Sequence, residues 1–276
     1  MADKSGKVMT DEKGGVYTAN NGSLNFKVSP AYGGGVHSLR YGADDSGNEW
    51  LFSQYPNIAP YAWWNPFLGG IDLSIWNMNA SLTLRENISS EFVTVKDNFG
   101  TEWTGIKTAV AVNEFIEHKG LTYERYYVTR PGLPVLCCFV RFINNTGGYK
   151  DIGYSMNAHI AGKENLTDVY AHTRTEEKDE YRIRMGDSWS ETDKFAGISY
   201  EGKSARDEKL YVYYDAGRSG GGISVSSDVN QCGIYTGAYT NMINGASRAL
   251  RPVFFILTEK ELPFDSVSDL DRVIFE

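Results

Sequence analysis

The chain has 276 residues, with 27 lysines and arginines against 35 aspartates and glutamates and a net charge of −8. That acid excess is the opposite of the clustered basic footprint a phosphate backbone needs, and no run approaches the roughly 18 apolar residues of a membrane-spanning helix. Nucleic acid and membrane are therefore set aside as partners, while 13% aromatics and 29 glycines suit a large core joined by tight turns.

Met1 to Gly15 is polar, carries no apolar stretch of signal-peptide type, and reads as a flexible tail, a linker or the cut edge of a longer chain. With no such signal in this sequence, the expected location is cytoplasmic. From Val16 to Glu276 the pattern is strand, turn, strand, and the expectation is a single domain. Val16 to Ala19 and Leu24 to Val28 flank Asn20-Asn21-Gly22-Ser23, a hairpin signal because Asn-Gly accepts the positive φ of a tight turn. Gly35 to Tyr41 and Glu49 to Phe52 flank Asp44-Asp45-Ser46-Gly47, and Phe92 to Asp97 and Glu102 to Ile106 flank Asn98-Phe99-Gly100. Alternating β-branched and aromatic residues then predict strands at Lys107 to Glu117, Leu121 to Thr129, Val135 to Asn144 and Ile152 to Ala158. Further strands are predicted at Tyr181 to Met185, Phe195 to Tyr200, Lys209 to Tyr214, Ile223 to Ser226, Cys232 to Tyr239 and Arg251 to Thr258. A helix start is signalled only at Ser266 to Asp269, by a Ser-x-x-Asp capping pattern. The fold class is all-β, a large antiparallel β-sandwich.

Neither a metal nor a cofactor is implied. Cys137, Cys138 and Cys232 are odd in number and lack ligand spacing, and adjacent Cys137 and Cys138 point to opposite faces of one strand. No Gly-rich phosphate loop, G-x-S-x-G, H-E-x-x-H or C-x-x-C occurs.

Three segments carry chemistry. Tyr61-Ala-Trp-Trp-Asn-Pro-Phe-Leu-Gly-Gly-Ile-Asp72 joins tandem indoles to an Asn-Pro break and a Gly pair, so it is not one regular element throughout. Trp63 and Trp64 offer flat apolar faces for a pyranose ring, with Asn65 and Asp72 for its hydroxyls; the alternative is that the indoles plug the core under a loop. On Leu121 to Val128, alternation places Tyr123, Arg125 and Tyr127 on one face and Glu124, Tyr126 and Val128 on the other. The first set suits a sugar hydroxyl or a carboxylate; a cross-strand ion pair is the competing reading. In Ser155-Met-Asn-Ala-His159, Asn157 and His159 share a face, which suits a positioned proton donor or a structural histidine. Of the remaining histidines, His37 is expected to pack at a strand start and His118 to be exposed in a turn.

The run Asn21-Gly-Ser-Leu-Asn-Phe-Lys-Val-Ser-Pro-Ala-Tyr-Gly-Gly-Gly-Val-His-Ser-Leu39, followed by Gly47-Asn-Glu-Trp-Leu-Phe52, resembles the galactose mutarotase-like family. Tyr123 to Arg130, Pro131-Gly-Leu-Pro134 and Val135 to Thr146 look like the strand, Pro-Gly turn and Asn-Asn-Thr turn of that family's middle region. The resemblance spans roughly Val16 to Ile160 and implies a supersandwich with a concave, carbohydrate-binding face. It also implies interconversion of sugar anomers, with His159 by position as the acid that protonates the ring oxygen. The family's base is a glutamate towards the C-terminus, yet Cys232 to Arg251 holds no carboxylate, and Glu259 and Glu261 stand in no matching context. The family's second, early histidine is replaced by Trp63-Trp64-Asn65-Pro66-Phe67.

Three readings follow. The first is a carbohydrate-binding accessory domain for a mono- or oligosaccharide, associated with other domains of a longer chain. The second is an aldose epimerase using His159 with Asp72 or Glu124 as an unconventional base. The third is a structural or interaction domain whose tryptophans are all core.

Overall fold

The computed structural model describes residues 7–61, 64–78, 80–161, 171–175, 181–183, 188–191, 194–200, 208–215, 221–227, 231–260, 262, 269–270 and 272–276, with backbone alone at 64–65, 80–81, 171–200 and 227. Among these the strands are, in chain order, β1 (Met9–Lys13), β2 (Val16–Asn20), β3 (Leu24–Val28), β4 (Val36–Tyr41), β5 (Ala59–Tyr61), β6 (Trp64–Phe67) and β7 (Ile71–Ile75). They continue with β8 (Asn87–Lys96), β9 (Glu102–Ala111), β10 (Leu121–Thr129), β11 (Val135–Asn144), β12 (Lys150–Ala161), β13 (Ala171–Thr175) and β14 (Tyr181–Ile183). The last are β15 (Ser188–Glu191), β16 (Lys194–Tyr200), β17 (Lys209–Asp215), β18 (Gly222–Ser227), β19 (Gln231–Met242), β20 (Ser247–Ala249) and β21 (Val253–Thr258).

These strands form two large antiparallel sheets. One has nine strands in the order β1-β2-β3-β4-β7-β12-β19-β18-β15. The other has ten, β14-β13-β16-β17-β21-β11-β10-β9-β8, with β20 on β11; β5 and β6 pair separately. The sheets stack because each presents an apolar face. Phe26, Leu39, Ile71, Met156, Ile160 and Ile234 of the nine-stranded sheet share one buried cluster with Ile106, Tyr127, Leu136, Val212 and Phe255 of the ten-stranded sheet. A second cluster joins Leu73, Ile75 and Tyr154 to Val110, Tyr123 and Phe142. The ten-stranded sheet is apolar on its other face too, where Trp103, Tyr126, Phe139 and Phe254 are covered by Val273 and Phe275. Burial on both faces explains the nearly continuous apolar run of β11. Cys138 lies in the inter-sheet cluster and Cys137 in the outer one, as alternation requires.

β3, β10 and β11 begin and end where the sequence pattern places them. Elsewhere the elements depart from the pattern. Met9–Lys13, within the segment read as a tail, is an edge strand paired with β2; all five residues are exposed, so no apolar period marks it, and its charges suit an unpaired edge. Glu102 to Ile106 and the start of Lys107 to Glu117 form one strand, β9, and the remainder ends in a 3₁₀ turn at Ile116–His118. Glu49 to Phe52 makes only isolated bridges, Arg40↔Glu49 and Leu51↔Ile160. Among the described residues the one α-helical turn is Ala80–Thr83, and Ser266 to Ser268 of the expected helix start lie outside them.

Candidate functional site

The nine-stranded sheet turns a polar face away from the core, and the register of β7, β12 and β19 determines what stands there. On β12, Ile152, Tyr154, Met156, Ala158 and Ile160 point into the core clusters, so Gly153, Ser155, Asn157 and His159 point outward. Pairing sets Asn157 between Asp72 and Tyr235, and Ser155 between Ser74 and Gly237. His159 lies opposite Gly233 and Gly153 opposite Tyr239.

Trp76 extends the outward series Asp72, Ser74 one step beyond β7, with its N–H donating to the Gly153 carbonyl at 2.9 Å. Its indole lies over Gly153, where a Cβ would come within 2.7 Å of the ring. A glycine at 153 is what lets the ring lie flat on the sheet. Trp76 and Tyr239 are 56% and 59% exposed and meet edge to face at 4.7 Å. Large apolar side chains held in solvent at this level, side by side, need an explanation. Trp76 is also fixed from below: the buried His118 donates Nε2–H to its carbonyl at 3.0 Å, and Asn77 donates to Glu117 at 3.1 Å. His118 was expected to be exposed; its ring instead packs on Phe115 beneath this loop. Beside the aromatic pair, Ser155 donates to Asn157 Oδ1 at 2.6 Å and Asn157 donates to Ser74 Oγ at 2.8 Å. The face thus combines two exposed rings with a row of small hydroxyl and amide groups.

The predicted residues divide across the molecule. Asp72, Asn157 and His159 are on this face together. His159 is 4% exposed, with Nδ1 at 2.7 Å from Gln231 Oε1 and its ring edge-on to Phe67 at 4.9 Å. Asp72 is tied to Arg125 at 2.9 Å; burial pushes its carboxyl above the usual carboxylate range, with the guanidinium opposing that shift.

Arg125, Tyr123 and Tyr127 share one face of β10, as alternation predicts, but that face is turned to the other sheet and sealed. Tyr123 is 1% exposed, and Arg125 and Tyr127 are fully buried. The expectation that these three line a ligand surface is corrected on that ground. β10 is an interior strand, flanked by β9 and β11, and its Tyr-Arg-Tyr face forms part of the inter-sheet packing. Arg125 donates Nε–H to Thr108 at 2.9 Å and Nη2–H to the Gly33 carbonyl at 2.7 Å. It reaches Asp72 where β4, joined to β7 only at Val36↔Ile71, leaves the neighbouring strand. The Gly33-Gly34-Gly35 run belongs to this arrangement: a Cβ on Gly34, at φ +70°, would sit 2.4 Å from Arg125 Nη2. Glu124 is on the opposite face of β10, accepting from Tyr126 Oη at 2.7 Å and paired with Lys107 at 3.5 Å. Glu124 and His159 therefore stand on different sheets and are not brought together.

Trp63 lies outside the described residues, and for Trp64 and Asn65 the description stops at the backbone of β6. His37 packs as expected, stacked on Tyr55 at 3.8 Å. The aromatic pair that is exposed, Trp76 and Tyr239, was not singled out from the sequence. The signal was present in the alternation Asp72, Ser74, Trp76 and in Gly233, Tyr235, Gly237, Tyr239, where outward glycines alternate with tyrosines. Among the described residues, no group of three His, Cys, Asp or Glu is placed to hold a metal ion, and no helix is long and apolar enough to cross a membrane.

No protein-family model matches the chain and no curated protein matches it in sequence. Solved structures do match. A putative aldose 1-epimerase from Klebsiella pneumoniae superposes with a TM-score of 0.60 at 11% identity, over 96% of this chain and 85% of that one. A TPR-domain containing protein from Parabacteroides distasonis gives 0.58 at 16% identity, over 91% of this chain and 48% of the other, so this chain spans about half its length. A GH36 alpha-galactosidase from Geobacillus stearothermophilus gives 0.56 at 11% identity, over 92% of this chain and 41% of that one. The chain has a galactose mutarotase-like β-sandwich fold.

Proposed function

We propose that this chain is a carbohydrate-binding domain, an accessory or non-classical form of the mutarotase-like fold, whose ligand lies on the outward face of β7, β12 and β19. The observation that carries the reading is the exposed Trp76–Tyr239 pair standing beside Ser74, Ser155 and Asn157. A pyranose has an apolar face of C–H groups and a rim of hydroxyls. The first packs on an aromatic ring, and the second exchanges hydrogen bonds with hydroxyl and amide side chains, which both donate and accept. Both kinds of surface occur here within two strand positions, about 6.7 Å. A glycan array followed by titration tests this, with Trp76→Ala and Tyr239→Ala expected to weaken binding by roughly tenfold or more each. Retained affinity in both variants, or no glycan bound by the native chain, would refute the stacking role.

A second reading, an aldose epimerase, is favoured by one observation: His159 and Asp72 stand diagonally on adjacent strands of the same face. General acid–base catalysis needs both groups within reach of the sugar. The Arg125 ion pair on Asp72 and the Gln231 and Phe67 contacts of His159 weigh against it. Polarimetry decides: acceleration of galactose mutarotation that disappears in His159→Gln would establish this reading over the first.

A further inference from the structure

The outward face does not end at the aromatic pair. Beyond the Gly153–Tyr239 pairing, β12 and β19 continue to Asp151 opposite Asn241, both exposed and both on the parity of Gly153 and Tyr239. Tyr149, 59% exposed, donates its hydroxyl to Asp151 at 3.0 Å, which places it with them. The surface therefore has three zones along one strand direction: Ser74 and Ser155, with the buried Asn157 holding them from behind; then Trp76 and Tyr239; then Asp151, Asn241 and Tyr149. From Ser155 to Asp151 is four strand positions, about 13 Å. One pyranose ring reaches the aromatic pair and a polar zone on one side of it, but not both sides at once. Glycine at 237, opposite Ser155, leaves the floor beside the aromatic pair without a side chain, while the Trp76 indole itself covers Gly153.

We infer that the ligand is an extended oligosaccharide laid along β12, with at least two sugar units, one on each side of the Trp76–Tyr239 pair, and that Asp151 and Asn241 form the second subsite. This rests on the carbohydrate reading above and adds the length of the ligand to it. Asp151 supplies acceptors and Asn241 both donors and acceptors, the complement that sugar hydroxyls require. Tyr149 adds a further exposed ring at the far end.

The test is calorimetric titration of the native chain and of an Asp151→Ala/Asn241→Ala double variant with galactan, α-1,4-glucan, β-1,4-glucan and α-1,6-galactoside ladders running from monosaccharide to hexasaccharide. Both substituted positions are exposed, and a thermal melt checks that the variant is folded. In the ladder that binds, affinity is expected to rise roughly tenfold or more between one unit and three, and the double variant is expected to lose most of that gain. A monosaccharide bound as tightly as the longest chain, or a double variant with the native length dependence, overturns the inference while the carbohydrate reading stands. No binding by any ladder removes both.

Discussion

Replacing Arg125 with methionine separates a structural from a ligand-binding role for the buried Tyr-Arg-Tyr face. The side chain is fully buried and donates to Asp72 at 2.9 Å, Thr108 at 2.9 Å and the Gly33 carbonyl at 2.7 Å. Methionine fills much of the same volume but makes none of these bonds. It leaves the Gly33 carbonyl without this donor and Asp72 without its counter-charge. Breaking a buried pair by removing one partner costs about 3–5 kcal/mol, because the group left behind is uncompensated. For a domain of this size each kcal/mol moves the melting temperature by about 2–4 °C, so Arg125→Met is expected to melt roughly 6–20 °C lower. Calorimetry and urea unfolding measure this directly. Asp72→Asn alone strands the guanidinium charge, and the double variant Arg125→Met/Asp72→Asn is expected to lose less than the two single losses added together. A loss below about 1 kcal/mol in Arg125→Met, or an unchanged melt combined with lost glycan binding, would refute the assignment of Arg125 to the scaffold.

Three further outcomes follow from local geometry. Burial, helped by the nearby Lys27 charge, lowers the His37 pKa from 6.5 to about 4. The unfolded chain thus takes up the proton first, and stability is lost as pH falls from 6.5 towards 4, by about 2–3 kcal/mol; urea titrations at both ends should show it, and His37→Phe should flatten the slope. Gly34→Ala combines a φ of +70° with a Cβ 2.4 Å from Arg125 Nη2 and 2.9 Å from Ile88. Its expected cost is about 2–4 kcal/mol, against about 1–2 for Gly100→Ala, which has the same sign of φ but open space; equal costs would show that the guanidinium does not confine position 34. Asp97 accepts from the Phe99 and Thr101 amides at 2.9 Å and from Trp103 Nε1 at 3.0 Å, tying the β8–β9 turn to the outer cluster. Asp97→Ala should destabilise by about 2–4 kcal/mol in denaturant, and a change below 1 would show those donors find other partners.

What was legible in the sequence was legible because it is local. Asn-Gly and Pro-Gly pairs end strands through the φ values they accept, so β3, β10 and β11 could be bounded residue by residue. The alternation that groups Tyr123, Arg125 and Tyr127 is equally local and is correct.

Which face of a strand meets solvent is a different kind of fact, because it depends on the second sheet. A Tyr-Arg-Tyr face and an aromatic pair on an open sheet read alike along the chain. Only stacking of the two sheets buried the first against Asp72 and Gly33 and left Trp76 and Tyr239 exposed. Register across β7, β12 and β19 then assembled Ser74, Asn157 and Tyr239 into one surface from positions 165 residues apart in the chain at most, 74 to 239. By itself the sequence determined an all-β chain, its turns and the alternation of each strand, since φ preference and side-chain parity act over a few residues. The tertiary structure decided which parity faces water and which distant residues share it, since both follow from burying one sheet's apolar face against another's.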